Sequence, residues 1–416
     1  MNRFARCVTA LLVGVLLSVA ARAQTPPAPK KELPGSKLPV SVYYSLPAEH
    51  ARVLESFLSE YREGHAYLDL QSKNFPNPDE LYRALNSPAQ APTIALMETS
   101  WLPHINKHGQ LLPVETWMNK EQFLFNWSVK CNCYNPLWEA SHVDGTLMAL
   151  PYFFTTKALI YNADMLTTAG VKFPPATWEQ LAAAALKMTV PGGTIGFALT
   201  PVSSNPRQLA RSLQVLAWQT GSDLLTPQGA LTGMAERAVT FISDLSKQQA
   251  VADPDRQVPP EQVGMFIGSV EDYLSLRARG LNVKTAVVPG PDKNSRTTEM
   301  QAWTLGIFKS VPENQLYKVQ ELAFFLLDFP QQRRWAETTP YLAAHVKVFD
   351  NPFYRRERLA DHAGLRVFLN SLSKSKPVDT ASPSIQNMET MGRKVPSVLR
   401  GEKAARDLMT GLSAHP

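Results

Sequence analysis

Glu98, Thr99, Ser100 and Trp101 follow directly on the apolar run over residues 93–97. At the end of a strand, such a carboxylate can accept hydrogen bonds from sugar hydroxyls, and such an indole can stack on the apolar face of a ring. Glu98 could equally cap the helix that follows. Tyr43, Tyr44 and Ser45 end another apolar run, and strand alternation sends one of the two tyrosines into a core. Ser269 follows the strand-like residues 265–268, where it either bonds a ligand or caps the helix opening at Val270. Trp303 stands in a further strand-like run, whereas Trp218, beside Leu213, Leu216 and Ala217, reads as core. Chemistry that breaks bonds has other signatures. No serine nucleophile elbow, zinc-ligand helix or phosphate-binding glycine loop occurs. A glycosidase needs two carboxylates across the scissile bond, which one sequence cannot place, so a secreted carbohydrate-active hydrolase is the rival class. Cys131 and Cys133, in Lys-Cys-Asn-Cys-Tyr, fit a small disulfide or inert thiols better than a metal site, since His142 stands at no zinc spacing. No metal or other cofactor is expected.

These residues need rigid elements to hold them. Residues 38–44 read as a strand, 48–61 as an amphipathic helix carrying Val53, Leu54, Phe57 and Leu58, and 66–71 as a second strand. The helix-then-strand step repeats over 79–85 and 93–97, and such succession favours α/β layers with largely parallel sheets. Thr177, with Gln180 three residues on, opens a helix in a reciprocal cap, and Pro191-Gly192-Gly193 stops it. Further helices are expected over 207–220, 234–248, 270–279 and 316–327, strands over 283–288 and 301–308, and a last helix from Ser382, broken near Pro396 and Gly401. Beyond the first 38 residues, ~375 residues exceed what one hydrophobic core organises, so two domains are expected.

Arg3 and Arg6, the apolar run over 8–21 and Ala21-Arg22-Ala23 compose a secretory signal peptide, residues 1–23, cleaved near Ala23. The run falls short of the ~20 residues that cross a bilayer. Cys7 precedes it and cannot be the lipidated cysteine that follows a lipoprotein signal. A soluble, periplasmic protein is expected, with residues 24–38 as a proline-rich tether containing Lys30-Lys31. Loss of Arg3, Arg6 and Arg22 lowers the formal charge of +6 by three. No Lys/Arg stripe interleaved with aromatics remains, so no nucleic-acid partner is expected.

The stretch Asp144-Gly-Thr-Leu-Met-Ala-Leu-Pro-Tyr-Phe-Phe-Thr-Thr-Lys-Ala-Leu-Ile-Tyr-Asn-Ala-Asp, then Ala169-Gly-Val and Pro175-Ala-Thr-Trp-Glu-Gln-Leu, closely resembles the family-one extracellular solute-binding proteins of ABC importers. Gln301-Ala-Trp-Thr-Leu-Gly-Ile-Phe looks like their return strand, Trp335-Ala-Glu-Thr-Thr-Pro-Tyr-Leu like their Trp-x-x-x-Thr-Gly-Tyr turn, and Leu399-Arg-Gly-Glu-Lys-Ala-Ala-Arg-Asp-Leu like their closing segment. Order and lengths sit nearest the glycerol-3-phosphate-binding branch, with maltose- and oligosaccharide-binding branches next.

The resemblance implies a two-lobed periplasmic binding protein fold of type II, with an interdomain cleft and hinge crossovers near residues 153–158, 284–288 and 307–314. Lobe 1 would hold residues 39–153 plus 288–310, and lobe 2 residues 154–287 plus 311–416. It implies ligand contacts at Tyr43, Tyr44, Ser45, Glu98, Thr99, Trp101, Thr155, Thr156, Ser269, Trp303 and Tyr341, Tyr341 above all. The hydroxyls of Thr155 and Thr156 have local crossover backbone as their other use. The implied partners are a carbohydrate or glycerophospho compound and ABC permease transmembrane subunits, with the protein a monomer that performs no catalysis; a ligand-presenting sensor would share the sequence. Two departures bear on the ligand. The loop over 200–207 lacks the paired tryptophans of the glycerol-phosphate branch, and Ile385-Gln386-Asn387 stands where that branch has an arginine. A buried phosphate would then lack its bidentate partner, unless Arg207, Arg393 or Lys157 replaced it.

Overall fold

The computed structural model describes residues 37–117, 132–200, 205–225, 232–256, 258–350, 363–409 and 412. The expected signal peptide, most of the expected tether and Cys131 of the expected cysteine pair lie outside the described residues; Cys133 is buried.

Alternation sets the first strand: in β1 (Leu38–Tyr44), Val40, Val42 and Tyr44 are buried. Helix α1 (Ala48–Gly64) buries Leu54, Phe57, Leu58 and Tyr61 at helical spacing. Next come β2 (Leu68–Asn74) and α2 (Pro78–Leu85), the latter capped by Asn77, whose side chain accepts from the Glu80 N–H. All five residues of β3 (Ile94–Glu98) are buried, as befits a strand covered on both faces. β4 (Leu150–Thr156) and β5 (Ala158–Asn162) are separated by Lys157 alone. There follow α3 (Trp178–Met188), β6 (Ile195–Ala198), α4 (Pro206–Trp218), α5 (Gly233–Lys247), β7 (Val263–Gly268), α6 (Val270–Ala278) and β8 (Val283–Ala286). The chain ends through β9 (Thr298–Ile307), α7 (Leu316–Leu327), α8 (Phe329–Thr338), β10 (Leu342–Ala343), β11 (Ser375–Pro377) and α9 (Ser382–Gly392).

Two main sheets result. The larger runs β10-β4-β9-β3-β1-β2, with β11 beside β9, and the smaller runs β8-β5-β7-β6. β1 is parallel to β2 and β3, and β6 to β7, yet β9 is antiparallel to β3 and β4, and β5 to β7 and β8. The expectation of largely parallel sheets is therefore corrected. β5 and β9 each arrive from the other sheet, entering at the end where their neighbours finish, so they run the opposite way. The two crossings are laced together: the Lys157 N–H donates to the Glu299 carbonyl at 3.2 Å, and the Thr298 hydroxyl donates to the Lys157 carbonyl at 2.7 Å. After β9 no described strand joins the smaller sheet: α7 and α8 pack on α1, β10 pairs with β4, residues 365–371 lie against β4, β5 and β8, β11 pairs with β9, and α9 packs on α4.

The α3 cap differs in one detail from the reciprocal form. Thr177 accepts from the Gln180 N–H at 3.3 Å, but Gln180 Oε1 accepts from the Ala176 N–H, at 2.9 Å, one residue before the cap. Trp218 is buried in the core around α4 and α5, as expected. Among the described residues, no helix is long and apolar enough to cross a membrane.

Candidate functional site

The ends of β4 and β7, the first half of β9, the first two turns of α4 and the first turn of α6 converge on one cleft of about 440 Å³. The β4–β5 junction contributes Thr155 and Lys157, α4 with its cap contributes Asn205, Gln208 and Arg211, and the β7–α6 turn contributes Ser269, Glu271 and Asp272. β9 adds Glu299, Gln301 and Trp303, alternate residues on one face of a strand, and Tyr341 closes the end. An adjoining chamber of about 140 Å³ shares Gln301, Trp303 and Tyr341 and adds Ser45, Glu98 and Trp101.

The aromatic side of the cleft is stiffly backed. Trp303 stacks on the fully buried Phe153 with centroids 4.6 Å apart, Tyr341 lies 4.6 Å from the same ring, and Trp335 supports Phe153 from 4.8 Å. The β4–β9 register shifts between Trp303 and Thr304, where Pro151 stands opposite Thr304 and Phe153 opposite Trp303. Pro151 has no N–H to offer the ladder, and a bulge is where a sheet tolerates that residue; such a bulge also re-aims neighbouring side chains.

The polar side centres on a buried ion pair. Arg211 donates through one nitrogen to Glu299 and, at 2.9 Å, to Gln301 Oε1. Burial pushes the Glu299 carboxyl up, but Arg211 and Lys157 override it and leave the group below its ordinary value. Lys157 donates to Gln208 Oε1 at 3.1 Å, and burial holds its ammonium below the usual lysine range. Glu299 Oε2 and Arg211 Nε are buried without a hydrogen-bond partner, an arrangement a bound hydroxyl, both donor and acceptor, would satisfy.

Glu98 anchors a second network. Thr380 donates to Glu98 Oε2 at 2.5 Å and accepts from Trp101 Nε1 at 3.0 Å, with Ser100 Oγ 2.7 Å away. These contacts tie the end of β3 to the segment leading into α9. Burial raises the Glu98 pKa against the opposing pull of Thr380 and Arg211. A carboxyl with a raised folded pKa stabilises the fold below its unfolded value and loses that contribution as pH rises through the folded one. Glu98→Gln, which keeps an acceptor for Thr380, is therefore expected to gain stability relative to the parent as pH rises from about 4, the ordinary glutamate range, to neutrality. Urea midpoints across that interval check the sign; a difference independent of pH would contradict it.

Of the residues expected at the site, Ser45, Glu98, Trp101, Thr155, Ser269, Trp303 and Tyr341 are brought together around the two chambers. Tyr44 is buried with its hydroxyl on Glu55, Tyr43 packs edge-on to Phe75, and neither lines a chamber. Thr156 donates to the Phe368 carbonyl at 2.8 Å, and Thr99 is buried away from both chambers. Ser269 both lines the cleft and forms a capping box with Asp272. Of the three cations considered for a phosphate, Lys157 lines the cleft, Arg207 binds Asp79 at 3.1 Å and Glu389 at 3.2 Å, and the exposed Arg393 pairs with Glu389. Arg211, Glu299, Gln208, Glu271 and Asp272 were not foreseen. Glu299 and Gln301 precede Trp303 at strand spacing, a signal visible once the strand is begun at Thr298.

Residues 74–360 match the family of bacterial extracellular solute-binding proteins. A protein of Brucella abortus (strain 2308), whose name assigns it only a binding role, is 28% identical over 274 residues, and the match spans 62% of this chain and 63% of that relative. The cyclic α-maltosyl-1,6-maltose binding protein of Arthrobacter globiformis has the same two-lobed α/β fold, with a TM-score of 0.74 at 18% identity over 91% of this chain and 98% of that one. A Mycobacterium tuberculosis protein solved with glycerophosphocholine superposes with a TM-score of 0.74 at 17% identity, over 91% and 97% of the two chains.

Proposed function

Because the chain belongs to the bacterial extracellular solute-binding proteins, we propose that it captures a saccharide or polyol in this cleft and delivers it to the membrane subunits of an ABC importer. The observation that carries the reading is the lining itself. Aromatic faces from the larger sheet stand opposite hydrogen-bonding side chains from α4 and the β7–α6 turn, so a solute held by both favours the closed arrangement of two lobes. We assign residues 38–156 and 298–377 to one lobe and 158–297 with the segment from 378 onward to the other. On this division the third crossover would fall at 378–381, where the resemblance implies 307–314. Residues 1–23 would direct export to the periplasm.

The charge of the lining favours a polyhydroxyl without an anionic group over a phosphate monoester. Lys157 and Arg211 are engaged by Gln208 and by Glu299 with Gln301, while Glu271 and Asp272 occupy the first turn of α6. Those carboxylates already answer the helix N-terminus that would otherwise attract an anion. The relatives noted above bind a cyclic maltosaccharide and glycerophosphocholine, and the lining here sides with the former. Turnover gains no support, because Glu299 is held by Arg211 and Asp272 by the cap of α6.

Thermal unfolding of the protein lacking residues 1–23 tests the reading. Ligand at 100 times its Kd adds about 2.7 kcal/mol by mass action, so maltose, maltotriose or a polyol is expected to raise Tm, and glycerol 3-phosphate to leave it unchanged. A response to glycerol 3-phosphate alone, or to no member of the set, overturns the assignment.

A further inference from the structure

Among the described residues, Glu98, Glu271, Asp272 and Glu299 face the two chambers against two cationic side chains, Lys157 and Arg211. Three of the four carboxylates are engaged: Glu299 by Arg211, Glu98 by Thr380, and Asp272 by the backbone and hydroxyl of Ser269. Glu271 differs. It is exposed and lines the cleft, and its side chain has neither a hydrogen bond nor an ion pair with any described residue. Glu49, in the first turn of α1, is close enough to add its charge to that of Asp272 in raising the Glu271 pKa beyond what burial does. The nearest charge partner of Glu49 is His50, 3.5 Å away, whose imidazole burial holds below its ordinary pKa. Tyr341 lines both chambers, one with Glu271 and the other with Glu98, and burial, reinforced by those carboxylates and Glu49, raises its hydroxyl pKa.

An independent feature points the same way. Glu299 Oε2, on a side chain 2% exposed, lacks any partner, and its residue lines the chamber. A buried acceptor of this kind calls for a donor on the ligand. In the same lining, the faces of Trp303 and Tyr341, with centroids 5.3 Å apart, attract a cation by their quadrupoles. A metal ion does not fit, because no group of three or more ligating side chains with metal-site geometry exists among the described residues.

We propose that the captured solute is an amino-substituted saccharide, its protonated amine lodged between Glu271 and the rings of Tyr341 and Trp303, and its hydroxyls on Glu299 Oε2, Gln301 and Arg211. The inference rests on the saccharide-capture reading and narrows it. The carboxylate supplies the charge, the rings the apolar and cation-attracting faces, and the buried pair the hydroxyl contacts.

Isothermal titration calorimetry on the protein lacking residues 1–23 tests this with three probes: the β-1,4 disaccharide of glucosamine, its N,N′-diacetyl counterpart and maltose. The free amine is expected to bind about tenfold or more tightly than either neutral sugar, and Glu271→Gln to erase most of that preference. Glu271 is exposed, and the Ser269–Asp272 cap stays intact in the variant; Glu49→Gln, also exposed, is a second variant expected to weaken the preference less. Neutral sugars binding as tightly as the amine, or a preference that survives Glu271→Gln, overturns the inference and leaves saccharide capture standing. Binding of none of the three overturns both.

Discussion

Arg211→Met is expected to lower stability by about 3–5 kcal/mol, the usual cost of removing one partner from a buried ion pair, and to abolish measurable solute binding with it. Arg211 and Glu299 are 8% and 2% exposed, so neither charge can be recovered by water. Without the guanidinium, Glu299 keeps only the more weakly placed Lys157, and Glu98 loses the cation that offsets part of its own burial. The pH dependence follows from the sign of the Glu299 shift. Its pKa lies below the ordinary value, so its contribution is present above the unfolded pKa and is lost as pH falls through the folded one. In Arg211→Met that contribution is gone, and the gap between variant and parent narrows on acidification. Adding Glu299→Gln removes the stranded charge and is expected to restore part of the stability without restoring binding, since the donors and acceptors of the cleft remain incomplete. Urea midpoints at neutral and acid pH for the single and double variants check this. A neutral midpoint within about 0.5 kcal/mol of the parent, the scale of an ordinary surface substitution, would mean the pair does not hold the cleft together.

The pattern of hydrophobic residues made most elements legible, and it failed where the chain changes sheets. Helix α7 lies where its apolar spacing placed it, and α3, α4, α5 and α6 lie within two residues of it. The antiparallel insertion of β5 and β9 was not readable, because direction depends on which sheet a strand comes from and not on its own composition. The site was half legible for the same reason. Thr155 and Thr156 are neighbours on one strand, so alternation allows only one of them the cleft, and the other bonds the Phe368 carbonyl. Tyr43 and Tyr44 face opposite sides of β1, yet packing consumes both. Arg211 sits between Ala210 and Ser212 in a helix whose other buried positions, Ser212 apart, are apolar, so its burial becomes visible only when Glu299 arrives from a strand far along the chain. Beginning that strand at residue 301 hid Glu299; beginning it at Thr298 aligns Glu299, Gln301 and Trp303 on one face.

Trp303→Ala is expected to weaken solute binding by about 2–4 kcal/mol, the range of an aromatic anchor at the centre of a binding surface, which is roughly 30- to 1,000-fold in Kd. Trp303 lines both chambers, so a solute long enough to span them must lie across its ring. The ring is fixed from behind by Phe153 at 4.6 Å and flanked by Tyr341 at 5.3 Å, so little rotamer freedom remains to be lost on binding. Because Trp303 is only partly buried, its truncation should cost the fold less than the ~3–5 kcal/mol of a core tryptophan. Affinity should therefore fall by more than stability does. Trp303→Phe, which keeps a flat face over Phe153, is expected to recover part of the binding. Calorimetric titration with the solute identified by thermal unfolding, beside urea unfolding of each variant, separates the two effects. Affinity within about threefold of the parent in Trp303→Ala would remove the aromatic wall from the binding surface, and the position of the solute would then have to be sought around Lys157 and the α4 terminus alone.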